Sequence, residues 1–193
     1  MTHDLSALIL AGGKSSRMGR DKALIEIDGI PLLKRVCDAA RQCTNSIYVM
    51  TSWVDRYQAL LPSVNFIVEE SPRSPIVAFA EALDHIPTEW VLLLACDLPR
   101  INGNVLQQWS TQLDQIPETV MALLPKHPKG WEPLCGFYRK TCLPGLQRHL
   151  EQGERSFQGW LEMELVQELR VSDRQILTNC NTPEDLSYIL NQL

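Results

Sequence analysis

The 193-residue chain lacks several features that would place it in other protein classes. It has no long hydrophobic run. Its first apolar stretch, Ala7 to Ala11, is far too short for a membrane span or the core of a signal peptide, and Met1-Thr2-His3-Asp4 lacks a basic start. A cytoplasmic location without membrane association is the expectation. Basic residues are not in excess. The formal net charge of -5 argues against nucleic acid or an anionic membrane as the main partner, while leaving room for a local basic pocket. Six cysteines (Cys37, Cys43, Cys96, Cys135, Cys142 and Cys180) are scattered with no C-x-x-C pair, so zinc-ligand spacing is absent and they read as reduced thiols, several in the core. No repeat, low-complexity run or linker interrupts the chain, whose length fits one domain over 1–193. Two common phosphate-binding loops are also missing. Gly19 is followed by Arg20 and Asp21 rather than by the Lys-Ser/Thr of G-x-x-x-x-G-K-[ST], and G-x-G-x-x-G does not occur.

What is present is a regular alternation. Strands are expected at Ala7 to Leu10, Ser46 to Met50, Asn65 to Val68, Trp90 to Ala95, Val120 to Leu124, Leu134 to Arg139 and Leu165 to Val171. The most apolar of them, Trp90 to Ala95, should be central. Helical periodicity falls at Pro31 to Arg41, Asp55 to Leu61, Ile76 to Asp84, Asn102 to Leu113, Cys142 to Gln152 and Phe157 to Met163, with a Pro/Gly/Lys loop from Pro125 to Pro133. A last helix opens at Pro183, with Thr182 as N-cap and Asp185 completing a capping-box-like pattern. The pattern implies an α/β fold, a Rossmann-like three-layer α/β/α arrangement with a mostly parallel mixed sheet.

Such sheets bind ligands beyond the carboxyl ends of their strands. The residues at those ends are Gly12-Gly13, Met50-Thr51, Glu69-Glu70 and Asp97, so glycines, a hydroxyl and three carboxylates fall on one edge. The first strand runs into Gly12-Gly13, then Arg17 and Lys22. Glycine lets backbone approach a ligand closely, and the cations suit phosphate oxygens.

The segment Leu10-Ala11-Gly12-Gly13 through Arg17-Met18-Gly19 to Asp21-Lys22 resembles the signature loop of sugar-nucleotide pyrophosphorylase-like nucleotidyltransferases, in the form found in the molybdenum cofactor guanylyltransferase family. Molybdopterin cytidylyltransferases more often read L-A-A-G here, so Gly12-Gly13 favours the guanylyl branch. The resemblance spans the chain: Cys96-Asp97-Leu98-Pro99 is similar to the family's metal-binding D-x-P, Trp131 to Tyr138 to its P-L-x-x-x-Y region, and Asn179 to Leu186 to its N-x-N-T-P-E-[DE]-L block.

The resemblance implies transfer of GMP from GTP to the terminal phosphate of molybdopterin, or of its molybdenum-loaded form, with release of pyrophosphate. Molybdenum cofactor biosynthesis proteins and apo-molybdoenzymes are the implied partners. No protein nucleophile is needed, because the acceptor phosphate attacks; positioning and charge stabilisation do the work. Asp97 is expected to hold Mg²⁺, with phosphates and water completing the octahedron. Arg17 and Lys22 are expected to meet the triphosphate, with Lys14 and Arg20 behind them. Leu10, Ala11, Gly12 and Gly13 are implied to lie along the nucleotide. Guanine offers two adjacent donors that a carboxylate can accept. Glu70 stands where the family carries an Asp used in GTP binding, with Glu69 as its competitor, and Met50 stands where the family offers Asn. Asn179 and Asn181 match pterin-side positions, although turn and capping chemistry is the other reading of Asn181. Glu132 is a further candidate near the second substrate.

One departure stands out. Where the family has G-P-L-x-G, this chain has Ser74-Pro75-Ile76-Val77-Ala78, so both glycines gain a Cβ. The alternatives are a related nucleotidyltransferase with another base or acceptor, such as cytidylyl transfer to molybdopterin, and a noncatalytic GTP- or cofactor-binding adaptor.

Overall fold

A computed structural model of the chain describes residues 4–12, 21–70 and 73–190. One sheet organises them. Its strands are β1 (Leu5–Leu10), β2 (Ile47–Thr51), β3 (Asn65–Val68), β4 (Trp90–Ala95), β5 (Ala122–Leu124), β6 (Cys135–Arg139) and β7 (Val166–Glu168), in the order β7-β5-β6-β4-β1-β2-β3. Strand β6 is antiparallel to both its neighbours, and every other pairing is parallel. The expected central strand β4 is central, and its six residues are all buried.

Helices α1 (Leu32–Ala40), α2 (Val54–Tyr57), α3 (Pro75–His85), α4 (Gly103–Ser110), α5 (Leu143–Glu151), α6 (Phe157–Leu161) and α7 (Pro183–Leu190) complete the chain. The alternating direction of strand side chains splits the interior in two. On one face Ala7, Ile9, Leu92 and Leu94 pack with Leu33, Val36 and Ala40 of α1 and Leu106 and Trp109 of α4. On the other, Leu8, Val91 and Leu93 pack with Phe79 and Leu83 of α3, Leu146 of α5 and Trp160 of α6. Continuous apolar strands such as Trp90–Ala95 are what a sheet covered on both faces requires.

Several features depart from the sequence reading, among them an α2 that stops at Tyr57 rather than Leu61 and a β7 that stops at Glu168 rather than Val171. Strand β2 runs through Thr51 rather than ending at Met50, and Met50 within it is 2% exposed. Helix α4 stops at Ser110, and a separate 3-10 turn covers Leu113–Gln115. Two short ribbons are additions: Glu26–Ile27 with Ile30–Pro31, in a stretch given no element up to the start of the expected helix at Pro31, and Lys126–His127 with Gly130–Trp131, inside the expected Pro125 to Pro133 loop. Asp28 and Gly29, with φ of 53° and 73°, close the first of these; an Asp-Gly pair in the left-handed region is the usual two-residue hairpin turn.

That first ribbon carries the C-terminal helix. Ile25, Ile27 and Leu32 form a small separate core with Cys180 and Ile189. The start of α7 is a reciprocal cap: the Asp185 N–H donates to Thr182 Oγ1 at 3.1 Å, and the Thr182 and Asn181 N–H groups each donate to Asp185 Oδ2 at 2.9 Å. The Asn181 N–H is the main cause that holds the Asp185 carboxyl below the usual aspartate range, aided by Thr182 and the Lys22 charge. Because the folded-state value is depressed, the stabilisation is present above the unfolded value of about 4 and is lost as pH falls through the folded one. Thr182→Ala is expected to cost about 1 kcal/mol. Asp185→Asn is expected to flatten the fall in stability between neutral and strongly acidic pH. Urea unfolding at several pH values checks both, and an unchanged pH slope in Asp185→Asn would discard the cap as its source.

Candidate active site

The carboxyl edge of the parallel strands opens into a cleft of about 430 Å³. Leu10, Ala11 and Gly12 form its floor where β1 ends. Lys22 comes from the following turn, Met50 and Trp53 from the end of β2, Glu69 from the end of β3, Cys96 and Asp97 from the end of β4, and Asn179 and Asn181 from the approach to α7. Strands that end side by side in the order β4-β1-β2-β3 necessarily deliver their following loops to one place.

One end of the cleft is ionic. Lys22 Nζ lies 3.4 Å from Asp97 Oδ2 and donates to Asn181 Oδ1 at 2.6 Å. Each member is held from behind. Asp21 caps the 3-10 turn Lys22–Leu24 by accepting the Ala23 N–H at 3.1 Å, and is itself fixed by the Tyr57 hydroxyl at 2.8 Å and by Arg56 at 3.5 Å. The Asp97 carbonyl accepts the Cys180 N–H at 2.9 Å, which ties the C-terminal segment to the end of β4. Burial pushes the Asp97 carboxyl above its ordinary value, and the Lys22 charge opposes that shift. The carboxylate is therefore only partly compensated and favours the arrival of a further cation.

The other end is largely apolar with one carboxylate. Met50, Pro75 and Ala78 line it with Glu69 and Arg73. Glu69 is 4% exposed. Its backbone N–H donates to Thr51 O at 3.0 Å, and its Oε1 accepts the Arg73 N–H at 3.2 Å. Oε2 sits against Gly12, where an added Cβ would come within 2.5 Å of it. The value of glycine at 12 is thus space for Glu69.

Lys22, Asp97, Leu10, Ala11, Gly12, Asn179 and Asn181 of the expected set all line the cleft. Gly13 and Arg17, with Lys14 and Arg20, lie outside the described residues. Glu70 is exposed and faces a neighbouring depression with Glu81, Asp84 and His85, so the structure brings Glu69, and not Glu70, to the cleft. Asn181 caps nothing with its side chain; Thr182 takes that role and leaves the amide to Lys22. Glu132 lies 3.4 Å from His127 outside the cleft lining, its carboxyl raised chiefly by burial. Ala78 adds its methyl to the wall. Ser74 caps α3 without a side-chain bond, and its Oγ is buried with no partner among the described residues. Trp53 was missed, although its place three residues past Met50 puts it on the same edge. Arg56 lies over its ring at 5.1 Å.

A mostly parallel sheet with a lysine, an aspartate and backbone-lined space at its carboxyl edge is the architecture of nucleotidyltransferases. The chain belongs to the family of proteins with a MobA-like NTP transferase domain, whose family model matches residues 7–168. A Nostoc protein named "Probable molybdenum cofactor guanylyltransferase" is 52% identical over 188 residues, covering 97% of this chain and 91% of its own. A Synechococcus elongatus protein of the same name is 47% identical, covering 94% and 96%. The crystal structure of molybdopterin-guanine dinucleotide biosynthesis protein A from Archaeoglobus fulgidus superposes with a TM-score of 0.78 at 23% identity, covering 97% of this chain and 100% of that one, and so shares the fold.

Proposed function

We propose that this chain is a molybdenum cofactor guanylyltransferase that joins GMP from GTP to the terminal phosphate of molybdopterin or Mo-molybdopterin. The observation that carries the reading is the convergence of Lys22, Asp97 and Asn181 at one end of a nucleotide-sized cleft. Full-length similarity to proteins named for this activity supports it. In the reaction a terminal phosphate oxygen of the acceptor attacks the α-phosphorus of GTP. The bond from that phosphorus to the β-phosphate oxygen breaks, and pyrophosphate leaves with the charge.

The chain's own groups position and neutralise. Lys22 meets the triphosphate as a point charge, and the floor from Leu10 to Gly12 presents backbone to the nucleotide. Arg17 and Gly13 are assigned to the same phosphate loop. Mg²⁺ is the proposed metal and Asp97 its protein ligand. Among the described residues no group of three or more His, Cys, Asp or Glu is placed to hold a metal ion; Asp97 would offer Mg²⁺ one carboxylate, and phosphates and water would supply the rest. When bound there, Mg²⁺ neutralises charge on the triphosphate. Asn179 and Asn181, which line the cleft beside Lys22, are assigned to the acceptor. No helix among the described residues is long and apolar enough to cross a membrane. A cytoplasmic setting, with molybdenum cofactor biosynthesis proteins and apo-molybdoenzymes as contacts, completes the proposal.

The test is pyrophosphate release by the purified protein with molybdopterin, Mg²⁺ and each nucleoside triphosphate in turn. Turnover with GTP above all others is expected. Preference for CTP would select cytidylyl transfer, and tight GTP binding without turnover would select an adaptor.

A further inference from the structure

The cleft has two unlike ends: Lys22 and Asp97 lie at one, and Glu69 is the carboxylate at the other among the described residues. Glu69 closes the apolar end. Oε1 accepts the Arg73 N–H at 3.2 Å, and Oε2 faces Gly12 on the cleft floor. A 4%-exposed carboxylate is costly to bury unless hydrogen bonds meet it, and among the described residues one backbone N–H does so, against the about four lone-pair sites a carboxylate offers. Met50, Pro75 and Ala78 line the same cleft and offer apolar surface to a planar ring. The opposite end, with Lys22 and Asp97, suits phosphates.

We infer that Glu69 is the group that reads the base, accepting the N1–H and N2–H of guanine side by side. The inference rests on the guanylyl-transfer reading and adds to it the residue that sets nucleotide choice. The chemistry discriminates sharply. Guanine presents two adjacent donors to a carboxylate, whereas adenine presents an acceptor beside its amine and cytosine an acceptor beside its own. Each of the latter two would place a lone pair against Glu69. A charge-assisted pair of hydrogen bonds is the strong form of this contact. Gly12 serves it sterically: any Cβ there would meet Oε2. Glu70, one residue on, is exposed on the other side of the loop.

Glu69→Gln tests this, because the amide keeps the size and the acceptor for the Arg73 N–H. The wild-type protein should prefer GTP to ITP, since inosine keeps N1–H and lacks the N2 amine. In Glu69→Gln, kcat/KM for GTP should fall roughly tenfold to hundredfold, the GTP-to-ITP ratio should collapse toward one, and the ATP-to-GTP ratio should rise, because an amide complements adenine's donor–acceptor edge. Gly12→Ala, which forces Oε2 aside, should reduce the GTP-to-ITP ratio in the same direction. If turnover of Glu69→Gln is too slow to follow, calorimetric affinities for GTP and ITP give the same ratio. Retention of the wild-type ratios in Glu69→Gln, or their collapse in Glu70→Gln instead, would overturn the inference. Absence of GMP transfer by the wild-type protein would instead remove the underlying activity, so the two failures are distinct.

Discussion

Asp97→Asn is expected to lower Mg²⁺-dependent turnover by on the order of 10³-fold while leaving the fold intact. The carboxylate ends the central strand and opens on the cleft, but the bond that holds the C-terminal segment comes from its backbone carbonyl, which accepts the Cys180 N–H. The substitution therefore removes the metal-binding charge and leaves that tie in place. It also removes a carboxylate whose burial opposes its ionised form, so thermal stability should hold or rise slightly. Pyrophosphate release measured against Mg²⁺ concentration, beside a thermal melt, separates the two effects. A variant that folds normally and turns over at the wild-type rate would end the assignment of Asp97 to the metal.

The second large effect is expected at Lys22. Lys22→Met keeps the aliphatic length and removes the charge. It should lower kcat/KM for GTP by roughly 10²- to 10³-fold, the loss seen when one preorganised donor to developing charge is deleted. Lys22→Arg should recover only part of this, because a planar fork cannot replace a compact ammonium held between Asp97 and Asn181. The same geometry predicts coupling. If the Asn181 amide acts by holding the ammonium, Asn181→Ala should reduce turnover on its own and add little in a Lys22→Met background. Additive losses would assign the Asn181 amide to a separate contact with the second substrate. Wild-type kcat/KM in Lys22→Met would discard the phosphate role.

Much of the fold is legible in the sequence. Every strand of the sheet was placed within a few residues, because runs such as Trp90 to Ala95 are apolar throughout and can persist only when both faces are covered. The C-terminal cap was legible too, since Thr182, Pro183 and Asp185 interact within one turn. The errors have local causes. The Asp28-Gly29 turn lies between only two paired residues on each side, too few to show alternation. The sequence reading ends the second strand at Met50, one residue early, because Thr51 and Ser52 give no signal for where pairing with β3 ends.

The site divides in the same way. Sequence alone supplied the candidate residues: a glycine-bearing turn and Asp97 after strand ends, Lys22 further along the same loop, and the asparagines before α7. It could not choose between Glu69 and Glu70, because adjacent residues at a strand's end point to opposite sides and the choice depends on where pairing stops. The N–H of Glu69 still pairs with Thr51 O, which turns its side chain toward Gly12 and sends Glu70 outward. Nor could it show that Asn181 meets Lys22 from 159 positions away. That contact exists because Ile25, Ile27 and Leu32 give the C-terminal helix an apolar seat beside the Lys22 turn. Residue types and local spacing are written in the chain; which of them touch is decided only when long-range burial closes the fold.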